Sequence, residues 1–137
     1  MPGMKDLINQ KVKRRESFRP FAPSVLAGRV GEIFEQDPRS PFMMHVVKIR
    51  PEGRDRIPAV THVDGTGRLQ TVARDQNPLY HDLIERFSRF TGVPVILNTS
   101  FNENEPIVDT PEQAVDCFRR NELDALVLGS LVLSKPP

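Results

Sequence analysis

The sequence has no tryptophan, one tyrosine (Tyr80) and one cysteine (Cys117) among its 137 residues. A lone cysteine excludes an internal disulfide framework and a cysteine-built zinc site. No apolar run approaches the roughly 18 residues of a membrane span. The N-terminus lacks the charged-then-apolar pattern of a signal peptide. These absences point to a reduced, cytoplasmic setting without membrane contact. Catalytic signatures are also missing: there is no G-x-x-x-x-G-K-[ST], no G-x-S-x-G and no H-E-x-x-H. His45, His62 and His81 lack metal-ligand spacing and read as surface or hydrogen-bonded structural residues, so no protein-held metal is expected. Cys117 falls on the apolar side of a helical segment, where a free thiol behaves as a small buried hydrophobe.

What is present is ordinary for a folded domain: 38% hydrophobic and 27% charged residues. Length predicts a single domain over 1–137, large enough to bury about two thirds of its unfolded surface. Thirteen prolines punctuate the chain with turns. The near-neutral net charge hides an asymmetry. Residues 1–30 carry seven Lys/Arg against Asp6 and Glu16, whereas the remainder carries twelve basic and sixteen acidic residues. A basic end suits an anionic partner such as a phosphate, a nucleotide or a nucleic acid; the plainer reading is a solvated charged face.

Met4, Leu7, Ile8 and Val12 follow helical spacing, so 4–12 reads as a short amphipathic helix. Residues 17–26, interrupted by Pro20 and Pro23, read as extended. A helix is expected over 29–36, a turn at 37–41, a strand over 42–49 and a loop at 51–53. Residues 59–63 and 67–72 flank Asp64-Gly65-Thr66-Gly67 and read as a hairpin. Asn77-Pro78 opens a helix whose apolar stripe is Leu79, Leu83, Ile84, Phe87 and Phe90; Gly92 stops it. Val93 to Leu97 is a strand. Thr110-Pro111-Glu112-Gln113 starts a second helix with Gln at the capping-box position, and Leu126 to Leu133 is a final strand. The fold class is α/β (α+β): a mixed sheet with helices packed on it.

Three segments carry candidate chemistry. In Lys13-Arg14-Arg15-Glu16-Ser17-Phe18-Arg19-Pro20-Phe21, an extended chain would project Lys13, Arg15 and Arg19 from one face, with Phe18 and Phe21 anchored in the core. Those cations suit a phosphate, Arg as a bidentate fork and Lys as a point charge. In Val95 to Asn102 an apolar strand runs into Asn98, Thr99, Ser100 and Asn102. Ligands of open α/β sheets bind where strands end, although such residues also satisfy their own backbone in a polar turn. In the third, Arg68 follows the glycines of the expected hairpin.

These segments occur together in a way that resembles a known family. The K-x-R-E-x-F-R-P-F-A-P run at 13–23, Ser40-Pro41-Phe42-Met43, Pro58 to Thr66, Pro94 to Asn102, Glu105-Pro106-Ile107-Val108 and Asp124 to Gly129 resemble, in order, the C-terminal domain of the nodulation-protein and antibiotic O-carbamoyltransferases. The resemblance implies a YrdC-like fold, a twisted open sheet with a positively lined concave face. It implies that this domain condenses carbamoyl phosphate with ATP, as its Mg²⁺ complex, to carbamoyl adenylate and pyrophosphate. A sugar-kinase/Hsp70-like N-terminal domain, absent from this sequence and acting in cis or in trans, then transfers the carbamoyl group to a hydroxyl of a sugar or natural product. That domain holds the family's metal-binding histidines.

Lys13-x-Arg15 and Ser100-x-Asn102 also resemble the two signature patches of YrdC-type synthases. By the resemblance, Lys13, Arg15, Arg19 and Arg68 bind the phosphates, with Lys13, Arg19 and Arg68 catalytic. Asn98, Thr99, Ser100 and Asn102 hold phosphate or ribose oxygens. Lys13, Arg19, Arg68 and Ser100 are expected to converge on one cleft. The chemistry needs two anions brought together, which is electrostatic positioning without a side-chain nucleophile. The alternatives are a non-catalytic nucleotide- or RNA-binding module and an assembly domain of the same fold. Against RNA, single-strand binders interleave stacking aromatics with positive charge, whereas Tyr80 is the only Tyr or Trp. Scaffolding requires none of the retained polar set.

Overall fold

A computed structural model describes residues 3–135, which divide into two compact units: residues up to Lys5 with Pro20–Thr99, and Asp6–Arg19 with Ser100 onward. The first holds a four-stranded sheet in the order β2-β3-β1-β4. Its strands are β1 (Ala22–Leu26), β2 (His45–Lys48), β3 (Thr66–Val72) and β4 (Val95–Asn98). β1 runs parallel to β3 and antiparallel to β4, and β2 is antiparallel to β3. The mixed α/β sheet expected from the sequence is therefore present. Every residue of β1 is buried, because this central strand is covered on both faces.

α3 (Pro78–Thr91) begins and ends where its caps require. The Asn77 side chain accepts from the Tyr80 N–H, Pro78 occupies the first turn, and Gly92 closes the helix at φ 75°, a left-handed conformation that glycine adopts without a Cβ penalty. Its buried residues are Ile84 and Ser88. Ile84 packs with Leu26 and Val72. The rest of the expected apolar stripe is exposed: Leu79 by 79%, Leu83 by 55%, Phe87 by 41% and Phe90 by 91%.

Other expectations change in this unit. The helix expected over 29–36 is a 3-10 helix, Ala27–Glu32; Gly28 and Gly31 disfavour an α-helix there, while Val30, Ile33 and Phe34 are still buried. The loop at 51–53 is a one-turn helix, α2 (Pro51–Arg54), opened by Pro51. The hairpin around Asp64-Gly65 does not form. Pro58–Val60 is a 3-10 turn that buries Ile57 and Val60 at helical spacing, so the antiparallel partner of β3 is β2. The turn itself is real. The Thr66 N–H and hydroxyl both donate to Asp64 Oδ1, at 3.0 and 2.7 Å.

Gly65 lies at φ 79°, and an added Cβ would meet the Arg54 guanidinium carbon at 2.8 Å. Gly65→Ala is expected to lower stability by about 1–2 kcal/mol, from left-handed strain before any clash is counted. Thermal unfolding followed by circular dichroism checks this; an unchanged midpoint would show that the turn relaxes freely.

In the second unit, α4 (Pro111–Arg120) packs on a two-stranded hairpin of β5 (Ala125–Leu128) and β6 (Leu131–Ser134). The single strand expected over 126–133 is thus two, because Gly129 turns the chain at φ 58° and pairs Leu126 with Leu133. Ala114, Phe118 and Leu126 form the core of this unit, with Phe101, Val108 and Leu133 packed against it. Thr110 caps α4 by accepting from the Gln113 N–H, and Gln113 Oε1 accepts from the Asp109 N–H, a reciprocal arrangement of the capping-box kind. α1 (Met4–Lys11) precedes the first polar motif. Among the described residues no helix is long and apolar enough to cross a membrane.

Candidate functional site

α1 ends in a tight reversal. The Val12 and Lys13 N–H groups both donate to Ile8 O, at 3.1 and 2.9 Å. Arg14 takes a left-handed φ of 43°, and the Arg15 N–H returns to Asn9 O at 3.0 Å. Lys13 and Arg15 therefore do not share one face of an extended strand, as their spacing predicted. The reversal buries Lys13, which is 2% exposed. Its Nζ donates to Ser100 O (2.5 Å), Asn102 O (2.7 Å), Asn102 Oδ1 (2.8 Å) and Ser100 Oγ (3.2 Å).

Two motifs more than eighty residues apart in the chain thus meet at one ammonium group. Three N–H bonds serve four neutral oxygens, and among the described residues no carboxylate forms an ion pair with Lys13. No carboxylate neutralises the charge at ion-pair distance, although Glu105 attracts it from further away. Burial, then repulsion from Arg15, holds the Lys13 pKa below its ordinary value, as expected for a desolvated cation.

Asn9 orders the following loop, although the sequence pattern did not single it out. It is fully buried. Its Nδ2 donates to Ser17 O (3.2 Å) and Arg19 O (3.0 Å), and its Oδ1 accepts from Arg15 Nε (2.8 Å). Asn9 falls off the stripe of Met4, Leu7, Ile8 and Val12, so helical spacing gave no signal for its burial, which requires that its hydrogen bonds be met. The Arg19 guanidinium is half exposed and lies 3.8 Å from Glu16. Phe21 is buried at 3% exposure, whereas Phe18 is 74% exposed; of the two expected anchors only Phe21 reaches a core, because residues 13–19 curl instead of running extended.

The Ser100–Glu105 loop is also gripped by charge. Arg120 reaches Asp116 (2.8 Å), Glu105 (2.9 Å) and Glu103 (3.3 Å), and Arg14 reaches Glu103 at 3.1 Å. Backbone N–H groups, its own first, and then Arg120 hold the Glu105 carboxyl down at about 2. Because the folded pKa lies below the unfolded one, the stabilisation is present above pH about 4.5 and is lost as pH falls toward 2. Acid titration followed by circular dichroism is expected to show Glu105→Gln flattening the loss of stability in that window. An identical slope for both proteins would remove Glu105 from the account.

In the sheet unit, Asn98 Nδ2 donates to Gln70 Oε1 at 2.8 Å, Ser24 Oγ donates to the same oxygen at 2.6 Å, and Gln70 Nε2 donates to Pro41 O at 3.1 Å. Asn98 therefore belongs to a polar row across β4, β1 and β3; Ser24 and Gln70 were missed because strand neighbours are not visible in sequence order. Thr99 follows β4 directly and is half-buried. Arg68 sits mid-strand in β3 opposite Val46 with its side chain exposed.

Other candidates have local explanations. His62 Nδ1 lies 3.0 Å from Thr66 Oγ1, and burial lowers its pKa. Cys117 is 1% exposed, and burial raises its thiol pKa. His81, Asp82 and Glu85 cluster at ligand distances, a grouping the sequence reading passed over, but Arg74 Nη2 lies 2.8 Å from Asp82 Oδ1 and 3.1 Å from Glu85 Oε2. A guanidinium already holds those carboxylates. A groove of about 430 Å³ is lined by Glu105, Asp109, Asp116 and Arg120, and three carboxylates there repel phosphate.

Comparison with known proteins agrees with the motif pattern. The family described as carbamoyltransferase C-terminus matches residues 1–135. The nodulation protein NolNO of Sinorhizobium fredii is 53% identical over 135 residues, covering 96% of this chain and 20% of its own length. The nodulation protein NolO of Bradyrhizobium diazoefficiens is 48% identical over 137 residues, covering 97% of this chain and 25% of its own length. An uncharacterised protein of Synechocystis sp. is 46% identical over 153 residues, with coverage of 96% and 25%. The chain spans a quarter or less of the length of these relatives.

Proposed function

Since this chain belongs to the carbamoyltransferase C-terminus family, we propose that it carries the carbamoyl-adenylate-forming half of an ATP-dependent O-carbamoyltransferase. The observation that supports this most is the buried Lys13 ammonium held by the Ser100-x-Asn102 loop. A buried cation with no carboxylate at ion-pair distance favours an anion nearby. Its N–H groups are occupied, so Lys13 acts through its charge and by fixing the loop. Arg19 follows on the Asn9-ordered turn and supplies a guanidinium fork to phosphate oxygens, and Arg15, whose Nε is held by Asn9, adds positive charge. Arg68 is a phosphate-binding cation in this reading. Ser100 and Asn102 orient ligand oxygens, and Asn98 and Thr99 offer the same oxygen-binding chemistry at the end of β4.

Carbamoyl phosphate and ATP, as its Mg²⁺ complex, are the substrates of this reading. Water splits carbamoyl phosphate to carbamate and phosphate. A carbamate oxygen then attacks the α-phosphorus of ATP, forming the carboxylate–phosphorus bond and breaking the bond to the departing pyrophosphate. The chain's cations reduce the repulsion between these anions and stabilise charge on the transferring group. Transfer to an acceptor hydroxyl belongs to the N-terminal transferase domain, in cis or in trans.

The purified chain with ATP, Mg²⁺ and carbamoyl phosphate is expected to release pyrophosphate slowly and to carbamoylate no hydroxyl acceptor. Slowness follows from an open site, in which water weakens the electrostatics. Pyrophosphate release and acceptor carbamoylation are assayed separately. Carbamoylation by this chain alone would overturn the division of labour. No pyrophosphate, even with the transferase domain added in trans, would favour a non-catalytic nucleotide-binding role.

A further inference from the structure

The outward face of α3 is built for contact. An amphipathic helix ordinarily turns its apolar stripe toward the core. α3 instead buries Ile84 and Ser88, and Ser88 Oγ accepts from Arg29 Nη1 at 2.6 Å. Leu79, Leu83, Phe87 and Phe90, spaced to lie along one helix face, remain exposed by 79, 55, 41 and 91%. Phe87 continues this face into an apolar groove of about 440 Å³, lined also by Ile57, Pro58, Val60, Val93 and Leu97. Scattered exposed apolar residues are normal; a contiguous stripe joined to an apolar groove marks an interaction surface.

We propose that the α3 stripe and its groove form the docking surface for the polypeptide that precedes this domain in full-length carbamoyltransferases. The family is described as a C-terminus, and the relatives carry three quarters or more of their length beyond the matched part, so a body large enough to cover the stripe accompanies the domain. Arg86 and Arg89 on α3 and Arg56 beside the groove are exposed, and they specify a partner patch that is apolar at its centre and acidic at its rim. This docking role stands apart from the adenylate chemistry and does not depend on it.

Thiol labelling tests the proposal, because Cys117 is buried and an engineered surface cysteine is readily distinguished. Leu83→Cys, Phe90→Cys and a control, Val63→Cys in the fully exposed turn, are labelled with a maleimide in two contexts: this chain alone, and this chain replacing the matched C-terminal part of the intact Sinorhizobium fredii relative. In the longer protein, positions 83 and 90 are expected to label at least tenfold more slowly, with position 63 unchanged. Equal rates at all three positions in both contexts would overturn the proposal. So would concentration-dependent protection in the isolated chain, which would assign the face to a second copy. A second measurement needs no chimera. Leu79→Glu and Phe90→Glu in this chain are expected to keep its melting temperature and reduce its binding of the apolar dye ANS; a large drop in melting temperature would show that the stripe is covered within the chain itself and refute the docking role.

Discussion

Lys13→Met is expected to destabilise the unit that contains α4 by about 2–4 kcal/mol. Hydrogen bonds to a charged group contribute about 1.5–3 kcal/mol each, and removing the donor leaves acceptors facing a side chain that cannot serve them. Against this, Met avoids the cost of burying an ammonium, a gain of several kcal/mol that offsets much of the sum. The remaining loss falls on Ser100 O and Asn102 O, because Ser100 Oγ already donates to Asn102 Oδ1 at 2.6 Å and keeps that bond. Lys13→Arg is expected to rescue little, since a planar fork does not fit four oxygens gathered around one nitrogen.

Urea unfolding followed by circular dichroism measures the effect; the absence of tryptophan makes fluorescence a poor probe. A Met variant as stable as the parent would show that Lys13 does not hold the loop. The lowered Lys13 pKa adds a second readout. The folded state loses this proton at lower pH than the unfolded chain does, so the group's contribution to stability rises with pH through that interval. Anion affinity falls across the same interval. Lys13→Met is expected to abolish both slopes.

Arg19→Ala is expected to weaken binding of ATP or carbamoyl phosphate by roughly 10- to 150-fold, the equivalent of losing one charge-assisted contact of about 1.5–3 kcal/mol. Arg119→Ala is the control of equal charge. Arg119 is exposed on α4, outside all three polar motifs. Calorimetry on both variants separates a built site from a diffuse positive field, because a diffuse field responds to charge number and a built site to position. Equal losses from the two substitutions would remove Arg19 from the site. The Arg19 backbone carbonyl, rather than its side chain, receives the Asn9 hydrogen bond. The truncation therefore leaves the loop's fold in place, and a melting curve matching that of the parent verifies this.

Much of this protein was legible from the chain alone, where the controlling physics is local. The caps of α3 and α4 followed from Asn77-Pro78, Gly92 and Thr110-Pro111 because capping acts within one turn. The mixed sheet followed from the alternation of strand and helix patterns, and the family from long motifs in fixed order. Non-local pairing was not legible. β3 found its antiparallel partner in β2 instead of the segment just before it, because Pro58 starts a helical turn that buries Ile57 and Val60. The apolar stripe of α3 was visible as a pattern, but a sequence does not say which side faces the sheet. In the tertiary structure Ile84 faces inward, leaving four large apolar residues outside.

The candidate site divides in the same way. Residue types at 13–19 and 98–102 marked these segments as candidates for anion binding. That Lys13 is buried, clasped by Ser100 and Asn102 and without a carboxylate partner was decided only when the end of α1 reversed and the loop after β4 was held by Arg120 and Arg14. Local sequence governs what a segment can do with its own backbone. Burial and charge compensation depend on which distant segments arrive, and only the folded chain determines that.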